Sequence, residues 1–196
     1  MSTQSITPET APEAHISETE SAFSLTDLVA EIRALDDVPS LSTLYSWLGK
    51  FEADWDELRP HVSFKPGTYA RHLITRGKHA ELLLLCWKPG QKTPIHDHNG
   101  SIGAVRVCKG VMWETMFCLD ETHTLRYTSA REWVGEVVTG ADVPDIHQLG
   151  NPEISGQDLI TLHIYAPPLG VLNTYKVGTS EVGHYSPNDY TDGAGI

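Results

Sequence analysis

Two histidines one residue apart, His96 and His98, stand in Pro94-Ile95-His96-Asp97-His98 near the middle of the chain. Side chains alternate along an extended segment, so both imidazoles share a face and Asp97 points away from it. Two neutral imidazoles on one face begin a site for a divalent transition metal, although the same spacing also suits a solvated strand. Such a site needs a third ligand. The chain has 10 histidines, and His147 is the candidate, since it stands between the turn signals Val143-Pro144-Asp145 and Gly150-Asn151-Pro152, near a strand end. A surface-loop histidine is the competing reading.

Two further sets of same-face polar groups could do chemistry. In Thr161-Leu162-His163-Ile164-Tyr165 the alternation puts Thr161, His163 and Tyr165 on one face and Leu162 and Ile164 on the other. That polar row is either the solvated face of a sheet or the lining of a polar interior. Tyr69-Ala70-Arg71 pairs a phenol with a guanidinium, whose planar fork can donate two parallel hydrogen bonds to a carboxylate. Taken alone, Arg71 reads equally as a surface arginine.

The elements that must position these groups fall into two parts. Residues 1–22 are rich in Ser, Thr, Pro and Glu and nearly free of large apolar residues, the composition of a disordered tail. From Phe23, apolar residues at helical spacing (Leu25, Leu28, Val29, Ile32, Leu35) predict a helix capped by Ser24 or Thr26. A second helix follows Ser40 with the stripe Leu41, Leu44, Tyr45 and Leu48 and a stop at Gly49, and a short third one spans Ala53 to Leu58. Beyond Phe64 the text changes to short strand-like runs, Leu82 to Trp87 and Ala104 to Phe117 among them. Pro-Gly, Asn-Gly and Lys-Gly turns punctuate these runs. The fold class predicted is all-β dominated, an antiparallel sandwich or small barrel behind a short helical preface. The preface covers residues 23–60 and the barrel 61–178, within one domain of residues 23–185; a flexible tail covers 186–196.

At 196 residues there is room for one domain with a substantial core. Fourteen Lys and Arg against 26 Asp and Glu give a formal charge of -12, which argues against a nucleic-acid partner. No apolar run approaches the ~20 residues of a membrane span. Cys86, Cys108 and Cys118 lie in apolar runs without a disulfide pattern and read as small buried hydrophobes in a reducing, cytoplasmic setting.

Together these motifs resemble a known family. Gly90-x5-His96-x-His98 followed by Gly110 resembles the first cupin motif, and His147-x3-Asn151 the end of the second. The glutamate that the first motif normally carries is absent; Ile102 and Gly103 stand there instead. Tyr69-x-Arg71, Cys86-Trp87, Ile95-His96-Asp97-His98, His147 and Leu162-His163-Ile164-Tyr165-x-Pro167-Pro168 are similar to cysteine dioxygenase, over roughly residues 69–175.

The resemblance implies a cupin-type antiparallel β-barrel, or jelly roll, around a mononuclear non-haem Fe(II) held by His96, His98 and His147. It implies Arg71 and Tyr69 at the substrate carboxylate, and His163 and Tyr165 beside the thiol and O2. The partners implied are a small-molecule thiol and O2, and the implied assembly is a monomer. Three neutral imidazoles leave Fe(II) with its full +2 charge, which a substrate thiolate partly neutralises; the same ligands suit zinc. Arg71 favours L-cysteine over 3-mercaptopropionate, since relatives acting on the latter carry Gln there. A metal-binding cupin without turnover is the differently classed reading. In animal members a cysteine at the position of Gly103 joins the tyrosine matching Tyr165. Gly103 has no such side chain, so no Cys–Tyr thioether is expected. Asp97 is assigned no role.

Overall fold

The computed structural model describes residues 22–135, 138–141 and 145–187. The predicted tails, 1–22 and 186–196, lie almost wholly outside the described residues, as do two of the three residues in the turn signal before His147.

Three helices open the described chain: α1 (Leu25–Ala34), α2 (Leu41–Lys50) and α3 (Trp55–Leu58). Ser24 starts α1 with a reciprocal cap, its hydroxyl accepting from the Asp27 N–H and its own N–H donating to the Asp27 carboxylate. Leu25, Leu28 and Ile32 form its buried face. Ser40 caps α2, which runs past Gly49 to Lys50. Its buried face is Leu44, Trp47 and Leu48, whereas Tyr45 is exposed. Asp54 caps the single turn of α3, and a 3-10 turn from Arg59 to His61 follows.

Eleven strands follow among the described residues: β1 (Ala70–Arg76), β2 (Glu81–Trp87), β3 (Ile95–His96), β4 (Ile102–Lys109), β5 (Val111–Leu119), β6 (Leu125–Val134), β7 (Val138–Ala141), β8 (Ile146–Gly150), β9 (Leu159–Ala166), β10 (Leu172–Tyr175) and β11 (Val182–Tyr185). They form two antiparallel sheets, ordered β1-β2-β9-β4-β7 and β11-β10-β3-β8-β5-β6. The chain crosses from one sheet to the other between β4 and β5 at Gly110, where φ is +89° and a Cβ would lie 2.6 Å from the Asp158 carbonyl oxygen. The two ends of the predicted Ala104–Phe117 run therefore belong to different sheets.

Two apolar clusters give the molecule three layers. Leu82, Leu84, Cys86, Leu162 and Ile164 pack with the buried faces of α1 and α2. Their strand neighbours Leu83, Leu85, Trp87 and Val105 face the second sheet, meeting Met112, Leu149 and Leu172. Both faces of the five-stranded sheet are thus covered, and β2 and β9 are buried at every residue. Burying one such leucine stabilises the fold by about 1.5–3 kcal/mol. The architecture is the cupin-type antiparallel barrel with a short helical extension.

Candidate metal centre and its pocket

His96 and His147 face each other across the β3–β8 pair, and His98 follows β3 on the same side. One ring nitrogen from each of the three lies within 4.8 Å of the others, and all three residues are buried. Hydrogen bonds fix two of the tautomers. His96 Nδ1 lies 3.0 Å from the Pro94 carbonyl oxygen, and His147 Nδ1 lies 3.0 Å from Glu114 Oε1. Both acceptors lack a proton, so each Nδ1 donates and each Nε2 keeps a bare lone pair. His147 Nε2 and both nitrogens of His98 are buried without a hydrogen-bond partner. Buried polar atoms left unpaired are costly, and one such nitrogen each from His98 and His147, converging with His96 Nε2, fits a bound cation.

Burial is the main force holding His96, His98 and His163 neutral, and nearby cationic or imidazole groups reinforce it. It depresses His96 to about 3 and holds His98 and His163 well below the ordinary value of 6.5. This has a consequence for the metal-free protein. As pH falls from 6.5 towards 3 the unfolded chain takes up protons that the folded one refuses, so stability present above 6.5 is progressively lost. Urea midpoints of metal-free protein are expected to fall steeply between pH 7 and 5; a flat profile would contradict buried neutral imidazoles.

The polar row on β9 lines an interior, because Leu162 and Ile164 on its other face are covered by the helices. Trp87 Nε1 donates to Thr161 Oγ1 at 3.0 Å, Thr161 Oγ1 lies 2.7 Å from His163 Nε2, and His163 Nδ1 lies 3.0 Å from the Tyr165 hydroxyl. An indole can only donate, so Thr161 Oγ1 accepts from Trp87, and its second lone pair or its proton meets His163 Nε2 according to the His163 tautomer. In the tautomer protonated on Nδ1, His163 donates to the Tyr165 oxygen and leaves the phenolic proton of Tyr165 free to point elsewhere; in the other, Tyr165 donates to Nδ1. Burial raises the Tyr165 phenol well above its usual range and keeps that proton in place.

A cavity joins this row to the imidazoles. Its polar wall is Tyr69, Arg71, His96, His163, Tyr165 and Tyr185, and Leu85, Leu149, Leu169 and Leu172 close its apolar side. Arg71 is 6% exposed, not a surface residue, because β1 turns it away from the helices and towards the second sheet. Burial pushes the Tyr69 phenol up to about 12, against the pull of a hydrogen bond from Arg71, and Tyr185 also bonds to it. The cavity therefore presents a buried guanidinium beside His96, one of the three clustered imidazoles.

Asp97 has a role that the alternation argument did not give it. Pointing off the metal face, it accepts from the N–H groups of Asn99 and Asn173, from the Asn173 side-chain amide at 3.0 Å and from the Tyr175 hydroxyl at 2.8 Å. These bonds tie β3 to β10 between the two histidines. Two site residues escaped sequence reasoning. Glu114 lies in β5 on the same face as the buried Met112, and a charged residue in a core-facing register was the available signal. Tyr185 comes from β11, beyond the expected end of the barrel.

A family model described as "Cysteine dioxygenase type I" matches residues 14–177. Human cysteine dioxygenase type 1 is 24% identical over 161 residues, covering 79% of this chain and 80% of that protein. The zebrafish (Danio rerio) protein of the same name is 22% identical over 172 residues, covering 83% and 82%. Among solved structures, a Klebsiella pneumoniae protein with a double-stranded β-helix domain aligns with a TM-score of 0.48 at 15% identity. That alignment covers 66% of this chain and 87% of the other. The family match spans most of the chain and takes in His96, His98, His147, Arg71, His163 and Tyr165; this protein belongs to the cysteine dioxygenase type I family.

Proposed function

We propose that the protein is an Fe(II)-dependent dioxygenase that converts L-cysteine and O2 to cysteine sulfinic acid. The thiolate sulfur gains both oxygen atoms of O2, so the reaction balances with no added reductant. The observation that carries this reading is one cavity lined by both the buried Arg71 and the imidazole His96 of a three-histidine cluster. His96, His98 and His147 would hold the iron. When bound, Fe(II) supplies the electronic coupling that lets triplet O2 react with a thiolate.

The side chains of the chain do the rest. Arg71 receives the substrate carboxylate in a partly desolvated position, where the pairing is strongest, and Tyr69 holds the guanidinium in place. Leu85, Leu149, Leu169 and Leu172 exclude water from that pairing. Thr161 and His163 orient Tyr165, whose phenolic proton, with His163 protonated on Nδ1, is available for a hydrogen bond to oxygen near the sulfur. A monomer acting in the cytoplasm is part of this reading, and Cys86, Cys108 and Cys118, which form no disulfide, suit that compartment.

Tyr165 acts as an unmodified phenol. Gly103 pairs with it across β4 and β9, and a Cβ at residue 103 would lie 2.9 Å from Tyr165 Cε1, so the ring rests against the bare glycine. The intact mass is expected to equal that of the sequence; a two-hydrogen deficit mapped to Tyr165 would refute this.

The test of the function is O2 uptake by anaerobically Fe-loaded protein with L-cysteine, 3-mercaptopropionate and cysteamine in parallel. Sulfinate formed in a fixed ratio to O2, fastest with L-cysteine, is the expected result. Preference for 3-mercaptopropionate reassigns the substrate. No uptake with any thiol leaves a metal-binding protein without this activity.

A further inference from the structure

We infer that Glu114 supplies, one hydrogen bond behind His147, the negative charge that the three-imidazole ligand set lacks, making His147 the strongest donor to the metal. The inference rests on the metal-centre reading above. The first cupin motif has no carboxylate at Ile102 or Gly103, yet a carboxylate stands on the far side of one ligand.

The geometry separates the three imidazoles. His96 donates from Nδ1 to a neutral carbonyl, that of Pro94, at 3.0 Å, and neither nitrogen of His98 has a hydrogen-bond partner. Only His147 donates to an anion. Glu114 Oε1 takes the Nδ1 proton at 3.0 Å, while Trp133 Nε1 donates to Oε2 at 2.9 Å and fixes the plane of the carboxylate. The two strands that carry Glu114 and Trp133, β5 and β6, are paired along their length, and β5 also pairs with β8, which carries His147. The carboxylate is thus held from two sides by the sheet that presents the ligand. A carboxylate accepting from Nδ1–H shifts electron density to Nε2 and raises its basicity towards a cation.

Arg131 stands opposite Glu114 on β6, but it is exposed and its charge is screened by solvent, so it offsets only part of the burial. Glu114 is 5% exposed, and taking a carboxylate out of water costs several kcal/mol after relaxation. A glutamine could accept the same proton from His147 without burying a charge, giving up only the Trp133 bond. A charge kept at this position repays its desolvation where a cation binds on the other side of the ring. Asp145 Oδ2 lies 3.4 Å from the same Nδ1. One N–H cannot serve both acids well, so Glu114, nearer and oriented by Trp133, is the working partner.

The test compares wild type with Glu114→Gln and Glu114→Ala for Fe(II) affinity, by anaerobic competition with a chromophoric chelator, and for the Fe(III)/Fe(II) midpoint potential. Glu114→Gln keeps an acceptor for Nδ1–H, removes the charge and turns its amide NH2 towards Trp133 Nε1, giving up that bond. It is expected to weaken Fe(II) binding about 10- to 100-fold and to make the potential more positive. Loss of the Trp133 bond alone would lower the urea midpoint of the metal-free protein but leave the iron potential where it is. Unchanged affinity and potential in Glu114→Gln overturns the inference, as does a loss confined to Glu114→Ala, which reduces Glu114 to a spacer. Glu114→Gln remains decisive if Glu114→Ala does not fold. If wild type holds Zn(II) but not Fe(II), the iron reading fails and the same affinity comparison with Zn(II) decides the role of Glu114. Failure of wild type to hold either cation sinks both.

Discussion

His98→Ala is expected to yield a folded protein that no longer retains iron and whose O2 uptake with L-cysteine falls by at least on the order of 10³-fold, about 4 kcal/mol in apparent barrier. His98 is 2% exposed, and its ring lies edge-on to His147 with centroids 4.8 Å apart. Alanine removes one of three convergent donors, and two imidazoles hold a first-row cation poorly. The folded state of the metal-free protein should lose little, because two effects oppose each other. The substitution leaves a cavity, which destabilises, but it also removes two ring nitrogens that are buried without partners, each carrying a desolvation penalty of about 1–3 kcal/mol. Metal analysis after iron loading, circular dichroism and O2 uptake check the three parts separately. Retention of a stoichiometric iron by the variant would remove His98 from the ligand set.

The second large effect is at Arg71. Arg71→Gln is expected to lower kcat/KM for L-cysteine by about 2–4 kcal/mol in apparent transition-state free energy, the scale for breaking a buried charge-assisted pair. That corresponds to about 30- to 1000-fold. Glutamine keeps most of the length and two donors but loses the charge and the fork that grips both carboxylate oxygens. The same substitution should cost cysteamine much less, since that thiol has no carboxylate to pair. The informative number is therefore the ratio of the two losses, which cancels any general damage to the pocket. Equal losses for both thiols would mean that Arg71 supports the cavity and does not clamp the carboxylate.

The parts of the site legible in the sequence are those that depend on local periodicity. Alternation put His96 with His98 and His163 with Tyr165, and the structure keeps each pair on one side. Alternation could not say which side is wet. Leu162 and Ile164 are apolar whether they meet the other sheet or the helices, and only the docking of α1 and α2 turns the polar row inward. The same limit explains the cysteines. Cys86 is buried under the helical layer, but Cys108 is half-buried and Cys118 exposed. Pairing of β5 with β8 ends at Phe117, so Cys118 runs past the neighbour that would have covered it. Asp97 and Glu114 were invisible for another reason. Their partners, Asn173 and Tyr175 for one and His147 and Trp133 for the other, are distant in sequence. No pattern within a single segment records that pairing.

The strands that carry the two halves of the site differ greatly in anchorage. His163 and Tyr165 sit on β9, the middle strand of its sheet, bonded along its length to β2 on one side and β4 on the other. His96 sits on β3, two residues long, held between β8 and β10 by a single register pair and by two. Local openings draw on the weakly anchored elements first. Amide protons of β9 should therefore exchange only when the whole protein unfolds, whereas those around β3 exchange through smaller excursions. A cation held by His96 and His147 would link β3 to β8. Loading it should slow exchange around β3 as much as in β9, because both openings release the cation, while local openings elsewhere that leave the three histidines in place stay as fast as before.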